Sequence, residues 1–356
     1  MKLSFLSTRD FFPSTWLKTG FWLDVVRWSG ILCLLLPGLS GCLGSEDNRL
    51  VARPAGPYQL TLDLGSTLPQ AGQETILAFH LTHTKTQQPV FDLQILHERA
   101  LHTFIVSRDL STFVHTHHED YIPLTDQDLQ RARFHFPYTF PKAGQYLIVN
   151  EFTHKDRSWT KHFTLTVTGE SGPSPKPDFR QEKQFGAYRV AFRTSPSPPI
   201  AGHEVEIVCR LTSAEGVPVR NLGLYLGTEV HMASWRLDGE HFGHQHTYTS
   251  EMARFMEGMR GHSMSSDQMA RLMVQLMSRP AKQEYFGPDV PLHHVFPTAG
   301  VYKVFLELAP NDEYLPVDFL VTVAEYTDDA DTTIHSILQE SAPSARPTTP
   351  NRQVSS

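Results

Sequence analysis

Val230–His246 reads VHMASWRLDGEHFGHQH, and the fold follows from how this stretch is read. His231 is followed thirteen residues later by His244 and two further on by His246. The same figure stands earlier, in Leu101–His118, LHTFIVSRDLSTFVHTHH, with His102, His115 and His117. The two stretches superpose at an offset of 129, which also lays Asp109 on Asp238 and Phe113 on Phe242. In each, β-branched and aromatic residues flank a polar turn (Arg108–Ser111; Asp238-Gly239), the pattern of a β-hairpin. Side chains alternate between the faces of a strand, so His115 shares a face with His117, and His244 with His246. A turn centred on Arg108-Asp109 places His102 opposite His115. In the second copy two registers are open, with His231 opposite His246 or opposite His244. Phe104, Val106 and Phe113 lie on the histidine face of the first copy, and Ala233, Trp235 and Phe242 on that of the second. This predicts a core-facing side with the imidazoles at its open end.

The repeat extends beyond the hairpins. Tyr58 and Ala71-Gly72 match Tyr188 and Ala201-Gly202 at an offset of 130. Phe140-Pro141, Ala143-Gly144, Tyr146 and Phe163 match Phe296-Pro297, Ala299-Gly300, Tyr302 and Phe319 at 156. A repeat that keeps its order and inserts only between elements is a duplicated domain. Short alternating strands (TLDL, ETILAFHLTH, PVFDLQIL, the hairpin, GQYLIVNEF, HFTLTVT) punctuated by Pro and Gly predict a mainly β protein. We expect two tandem Ig-like β-sandwiches over residues 58–168 and 188–325, joined by a Pro- and charge-rich linker, 169–187. The rise in offset from 129 to 156 locates an insertion in the second copy, Ser250–Pro280. Its periodicity is helical, and Ser265–Gln268 resembles a capping box, so a helical hairpin is predicted. Seven of the nine methionines fall there. Met252, Met256 and Met259 share one face and His262 sits at the bend. Thioether sulfur suits monovalent copper, which makes these four candidate soft ligands. Packing is the competing role, with the insertion lying as a lid over the second sandwich near its histidines.

Residues 1–42 read as a targeting segment. Ile31–Leu36 is apolar but too short to span a bilayer, and Leu39-Ser40-Gly41-Cys42 resembles a bacterial lipobox with Cys42 as the lipidated residue. Residues 43–57 form a polar tether. Leu43, rather than an acid, after the cysteine favours the outer membrane, facing the periplasm. Residues 326–356 are acidic and then Ser/Pro/Thr-rich, the composition of a disordered tail.

Three imidazoles on an apolar face need partners, and one metal ion satisfies all three. Imidazole suits copper, zinc and nickel. The metal ligands expected are therefore His102, His115 and His117 in one domain and His231, His244 and His246 in the other, with copper favoured. The only cysteines are Cys33, Cys42 and Cys209. Cys209 alternates with Val205, Ile207 and Leu211 as a core residue, which argues against a blue-copper site. The net charge of −7, with no basic run, excludes nucleic-acid binding. With no nucleophile motif, phosphate loop or paired carboxylates, the chain is not read as an enzyme. The alternative is a structural or interaction module whose histidines only support the core.

LHTFIVSRDLSTFVHTHH followed by FPKAGQY resembles the bacterial envelope β-sandwich domains called YtkA-like or FixH-like. Their pattern is Leu-His, a short strand, Ser-x-Asp-Leu, Phe, His-x-His-Pro and then Phe-Pro-x-x-Gly-x-Tyr. His102, His115 and His117 carry the match. His118 stands where the pattern has Pro, and the second copy lacks the Ser-x-Asp-Leu turn. The resemblance implies metal handling in the envelope, with a heavy-metal efflux or copper-handling protein as partner.

Overall fold

The computed structural model describes residues 49–52, 56–65, 68–247, 254–255, 258–259 and 264–327. The targeting segment, the far tail, Met252, Met256 and His262 lie outside them.

The first domain carries β1 (Arg49–Val51), β2 (Tyr58–Asp63), β3 (Glu74–His83), β4 (His102–Ser107), β5 (Phe113–Thr116), β6 (Arg133–Thr139), β7 (Gly144–His154) and β8 (Arg157–Val167). They form two four-stranded antiparallel sheets, ordered β1-β2-β3-β6 and β5-β4-β7-β8. The second domain carries β9 (Glu182–Phe185), β10 (Tyr188–Ser195), β11 (Glu204–Ser213), β12 (Leu222–Gly223), β13 (His231–Arg236), β14 (Phe242–His246), β15 (Asp289–Val295), β16 (Gly300–Pro310) and β17 (Leu315–Val323). Its sheets run β15-β11-β10-β9 and β12-β16-β13-β14, with β17 on the other edge of β16. The protein is thus mainly β, a pair of Ig-like sandwiches.

Alternation explains the cores. Leu60, Leu62, Leu77, Phe79 and Leu81 from one sheet meet Ile105, Tyr146, Ile148 and Leu165 from the other in the first sandwich. Val190, Phe192, Ile207, Cys209 and Leu211 meet Met232, Val304, Leu306 and Phe319 in the second. Cys209 is a core residue, and burial pushes its thiol up to about 12.

Two expected elements differ. PVFDLQIL forms isolated bridges rather than a strand, Pro89 to Thr82 and Gln94 to Thr153. The strand in that sheet is instead Arg133–Thr139. Part of the linker is ordered: Glu182–Phe185 pairs with β10, and the Lys183 ammonium lies over the Phe319 ring, 5.2 Å from its centroid. In the insertion, Ser266–Met277 is a helix, and Ser265 and Gln268 make the reciprocal capping box at its start. Its first half lies largely outside the described residues.

The face carrying Phe104, Val106 and Trp235 does not look into either sandwich. Phe104, Val106, Leu110, Val149, Ala233, Trp235 and Phe305 form a third buried cluster, drawn from both domains. Every residue of β4 is buried and five of six in β13, so both faces of these strands are covered. The residues on one face, Ile105 and Met232 among them, fill the sandwich cores. Those on the other face, Phe104, Val106, Ala233 and Trp235, fill the seam between sandwiches. There Phe113 stacks on Phe305, with centroids 4.3 Å apart and planes at 10°. At the rim, the Arg108 guanidinium donates to the carbonyls of Leu237, at 2.8 Å, and Asp238, at 2.6 Å.

Candidate metal centre

The register of both hairpins is the same. Phe104 pairs with His115 and Thr103 with Thr116, so His102 faces His117, not His115 as expected. His231 pairs with His246, the first of the two registers left open. The turns explain this. Each is a four-residue connection with a left-handed residue at its third position, Leu110 (φ 54°) and Gly239 (φ 75°), which are equivalent in the repeat.

Because the histidine face is the seam, the two sets of imidazoles meet. They are not independent sites at opposite ends of a linker. Three ring nitrogens of the first set form a triangle. His102 Nδ1 lies 3.1 Å from His115 Nε2 and 3.1 Å from His117 Nε2, and the last two are 3.0 Å apart. An ion bound tetrahedrally by imidazoles at ~2.0 Å spaces its nitrogens by about 3.3 Å, so the triangle is close to a ready-made ligand set. Each ring is held from behind: His102 Nε2 by the Leu96 carbonyl at 3.1 Å, His117 Nδ1 by Asp120 at 2.9 Å, and His115 Nδ1 by Glu307 of the other domain at 2.7 Å. Such outer hydrogen bonds orient metal-binding histidines and fix their tautomers.

Those partners dictate where the protons sit. A carbonyl only accepts. Asp120 is held down at about 2 by the His117 and Arg99 contacts, against the opposing effect of burial, so it only accepts too. The outer nitrogens of His102 and His117 therefore carry protons, and their inner nitrogens are lone pairs 3.1 Å apart. Glu307 is 1% exposed, and burial pushes its carboxyl up to about 8. With Glu307 protonated and donating to His115 Nδ1, the imidazole's own proton sits on Nε2 and faces the two lone pairs. A cation held by the three imidazoles would take the place of that Nε2 proton, with His115 Nδ1–H then donating to the Glu307 carboxylate.

The second set is arranged differently. Glu151 and Glu307 are equivalent in the repeat at offset 156. Each lies opposite the first histidine of its own domain, Glu151 beside His102 and Glu307 beside His231. Each reaches across the seam, Glu307 to His115 and Glu151 to His244 Nδ1 at 2.5 Å. This crossed pair gives the interface an approximate two-fold character. His244 has its Nδ1 taken up by Glu151, although its ring stays 5.9 Å from that of His231 and 4.2 Å from that of His246. The imidazole that joins those two is His97 of the first domain: ligand atoms of His97, His231 and His246 lie within 4.8 Å of one another. His115, His231 and Glu307 form a linking group of the same span.

His97 and Glu307 were not identified from the sequence as site residues. His97 has no histidine counterpart in the repeat, since Leu226 stands there. Glu151 and Glu307 carried a readable signal, a charge at matching positions inside apolar strands. Burial, and then the neighbouring imidazoles, hold His102, His115, His231 and His246 well below the usual histidine range, and His97 at about 3. His117 is lowered by burial against the pull of Asp120.

Methionine enters from the insertion. Met277, at the end of Ser266–Met277, lines a cavity of about 60 Å³ with His97, His102, His244 and His246. The backbone N–H of His97 donates to the Met277 carbonyl at 3.3 Å. The helix thus lies beside the seam and against β8 of the first domain, not over the second sandwich alone. Met259, of the four expected soft ligands, is half-buried. Met252, Met256 and His262 are outside the described residues.

Fold and site together define a duplicated Ig-like β-sandwich protein whose two halves clasp a buried histidine cluster able to hold metal. The chain belongs to the family described as Domain of unknown function (DUF8832), whose model matches twice, over residues 53–169 and 183–325. No curated protein sequence matches it. Among solved structures it is similar to the FN1–FN3 domains of chicken CNTN1, with 7% identity over 74% of this chain and 65% of that one, at a TM-score of 0.19. It is also similar to activated Escherichia coli alpha-2-macroglobulin, with 12% identity over 76% of this chain and 22% of that one, at 0.22. A chimeric titin Z1Z2 is similar at 12% identity, over 79% of this chain and 97% of that one, at 0.18. The chain thus spans less than two thirds of the length of the first two.

Proposed function

We propose that the protein is a lipid-anchored component of a bacterial cell envelope that binds copper at His102, His115 and His117, to sequester it or pass it on. The observation that supports this most is the triangle of inner nitrogens, 3.0–3.1 Å on a side, two of them lone pairs with no proton between them. An all-imidazole set with no thiolate in reach favours copper over the other divalent first-row metals, with zinc or nickel as competitors. The neighbouring cavity of about 60 Å³, lined by His97, His102, His244, His246 and Met277, leaves room for a small ion beside the imidazoles. Binding and transfer are the roles we read for such a site. A copper-handling or metal-efflux protein of the same compartment is the partner this chemistry calls for.

The test is elemental analysis of the soluble fragment from Gly44 onward, loaded with copper and desalted. His115→Ala combined with His117→Ala should lose at least one equivalent. Metal content equal to wild type would leave the histidines as supports of the seam, the interaction-module reading. Anchoring is tested separately. Cys42→Ser should leave the protein unprocessed or release it from membranes, read by fractionation and intact mass. Unchanged mass and unchanged membrane association would remove the lipid anchor from the proposal.

A further inference from the structure

We infer that His97, His231 and His246 form a second copper site, one that neither domain can build alone. Two of these ligands come from the hairpin of the second sandwich and one from a turn of the first. Unlike the first triangle, this group has no carboxylate behind its rings, and the Leu226 backbone is the neighbour of both His97 and His231. Among the described residues, His97 Nε2, both ring nitrogens of His231, and His246 Nε2 are sealed from solvent without a geometrically sound hydrogen bond. His97 is 6% and His231 1% exposed. His246 is half-buried as a residue, but its Nε2 is covered. An orphaned polar atom in such a place is costly, and one ion with three imidazole ligands satisfies one nitrogen of each ring. The rings are already gathered: His97 stacks on His246 with centroids 4.0 Å apart, and His231 meets His246 edge-on at 4.6 Å.

The backbone at His97 shows what the residue is there to do. His97 and Glu98 are the two central residues of a tight turn closed by reciprocal hydrogen bonds between Leu96 and Arg99, each 3.0 Å. Both have positive φ, 48° and 65°. Histidine is not the residue such a turn selects; asparagine and glycine are. The equivalent turn in the second domain has Leu226-Gly227 at φ 47° and 74°. Leu226 adopts nearly the same φ, so what sets His97 apart is the imidazole it brings to His231 and His246.

The site deepens the proposed function without depending on the first triangle, because it rests on different atoms. It also gives the crossed architecture a consequence. Metal at this place ties the first domain to the second through ligand bonds, so loading and docking are one event.

The same turn supplies the test. His97→Asn removes the imidazole while placing a residue the left-handed turn prefers, so the metal-free variant should fold at least as well as wild type. The fragment from Gly44 onward is loaded with copper(II) sulfate, desalted and analysed for metal per chain. Wild type should hold two equivalents, His97→Asn one and His117→Ala one; His97→Asn with His117→Ala should hold none. His246→Ala should behave as His97→Asn. If His97→Asn keeps two equivalents, the second site is overturned. Wild type holding one equivalent that vanishes in His117→Ala also overturns it and leaves the first triangle standing. Wild type holding one that vanishes only in His97→Asn keeps the second site and overturns the first.

Discussion

Metal-free protein taken from pH 7.5 to pH 5 should lose the contact between its sandwiches while each sandwich stays folded. The buried imidazoles decide the sign. Their pKa values in the closed protein lie below the ~6.5 of an exposed histidine, because burial disfavours the charged form. The open state therefore binds more protons as pH falls below about 6.5, and docking is weakened progressively from there down to the closed-state values. For His97, held at about 3, the loss at pH 5 is about 2 kcal/mol. His102, His115, His231 and His246 act in the same direction. Glu307 opposes them. Its carboxyl is raised to about 8, so acid relieves a cost that is present at neutral pH, by about 3 kcal/mol between pH 7.5 and 5. We expect the five histidines, acting together, to outweigh the one carboxyl, so that acid weakens docking. In the fragment from Gly44 onward only Trp159 and Trp235 remain. In a Trp159→Phe background, the emission of Trp235, 1% exposed in the seam, should shift to the red with a midpoint between about pH 5 and 6.5. Far-ultraviolet circular dichroism should stay unchanged over that range. Copper-loaded protein should hold out to lower pH, because ligated nitrogens are withheld from protons. A Trp235 emission flat to pH 4 without metal would contradict the burial of these groups.

The repeat, the hairpins and the clustering of imidazoles on one face were all legible, because spacing and alternation are local properties of a strand. What alternation could not decide was the assignment of faces. In β4, HTFIVS, the side with Phe104 and Val106 is as apolar as the side with Ile105. A strand with two apolar faces is buried on both. That rule argues for a second layer against β4 and β13, and the only other large apolar sheet in the chain is the other copy. The crossed carboxylates were visible in the same way. NEF in β7 and LEL in β16 put Glu151 and Glu307 at matching positions, inside strands with no other acid. His97 left no such trace. It lies in a turn whose counterpart in the repeat carries Leu226 instead, and only the three-dimensional closure of the two domains brings it to His231 and His246.

Trp235→Ala should separate the domains without unfolding either. The side chain fills the centre of the seam, with ring centroids 4.8 Å from Phe242, 5.9 Å from Phe305, 6.0 Å from Phe113 and 6.5 Å from Phe104. Removing a buried Trp costs about 3–5 kcal/mol, and here the whole loss falls on docking, because Trp235 belongs to neither sandwich core. Met232, three residues before Trp235 on β13 and on its opposite face, is the control. It is fully buried in the second sandwich core, so Met232→Ala should cost about 2–5 kcal/mol there and leave docking as it is. Denaturation of wild type should show the sandwiches coupled. Trp235→Ala should show two transitions and a larger radius of gyration in solution scattering, while Met232→Ala lowers only the midpoint of the second sandwich. Metal content distinguishes the two sites in the same variant. The triangle of His102, His115 and His117 lies wholly in the first domain and should keep its copper, weakened by the loss of Glu307 behind His115. The group of His97, His231 and His246 straddles the seam and should lose its own. A single cooperative transition with unchanged dimensions in Trp235→Ala would mean that the crossed His–Glu pairs and the Arg108 contacts, not the aromatic seam, hold the two sandwiches together.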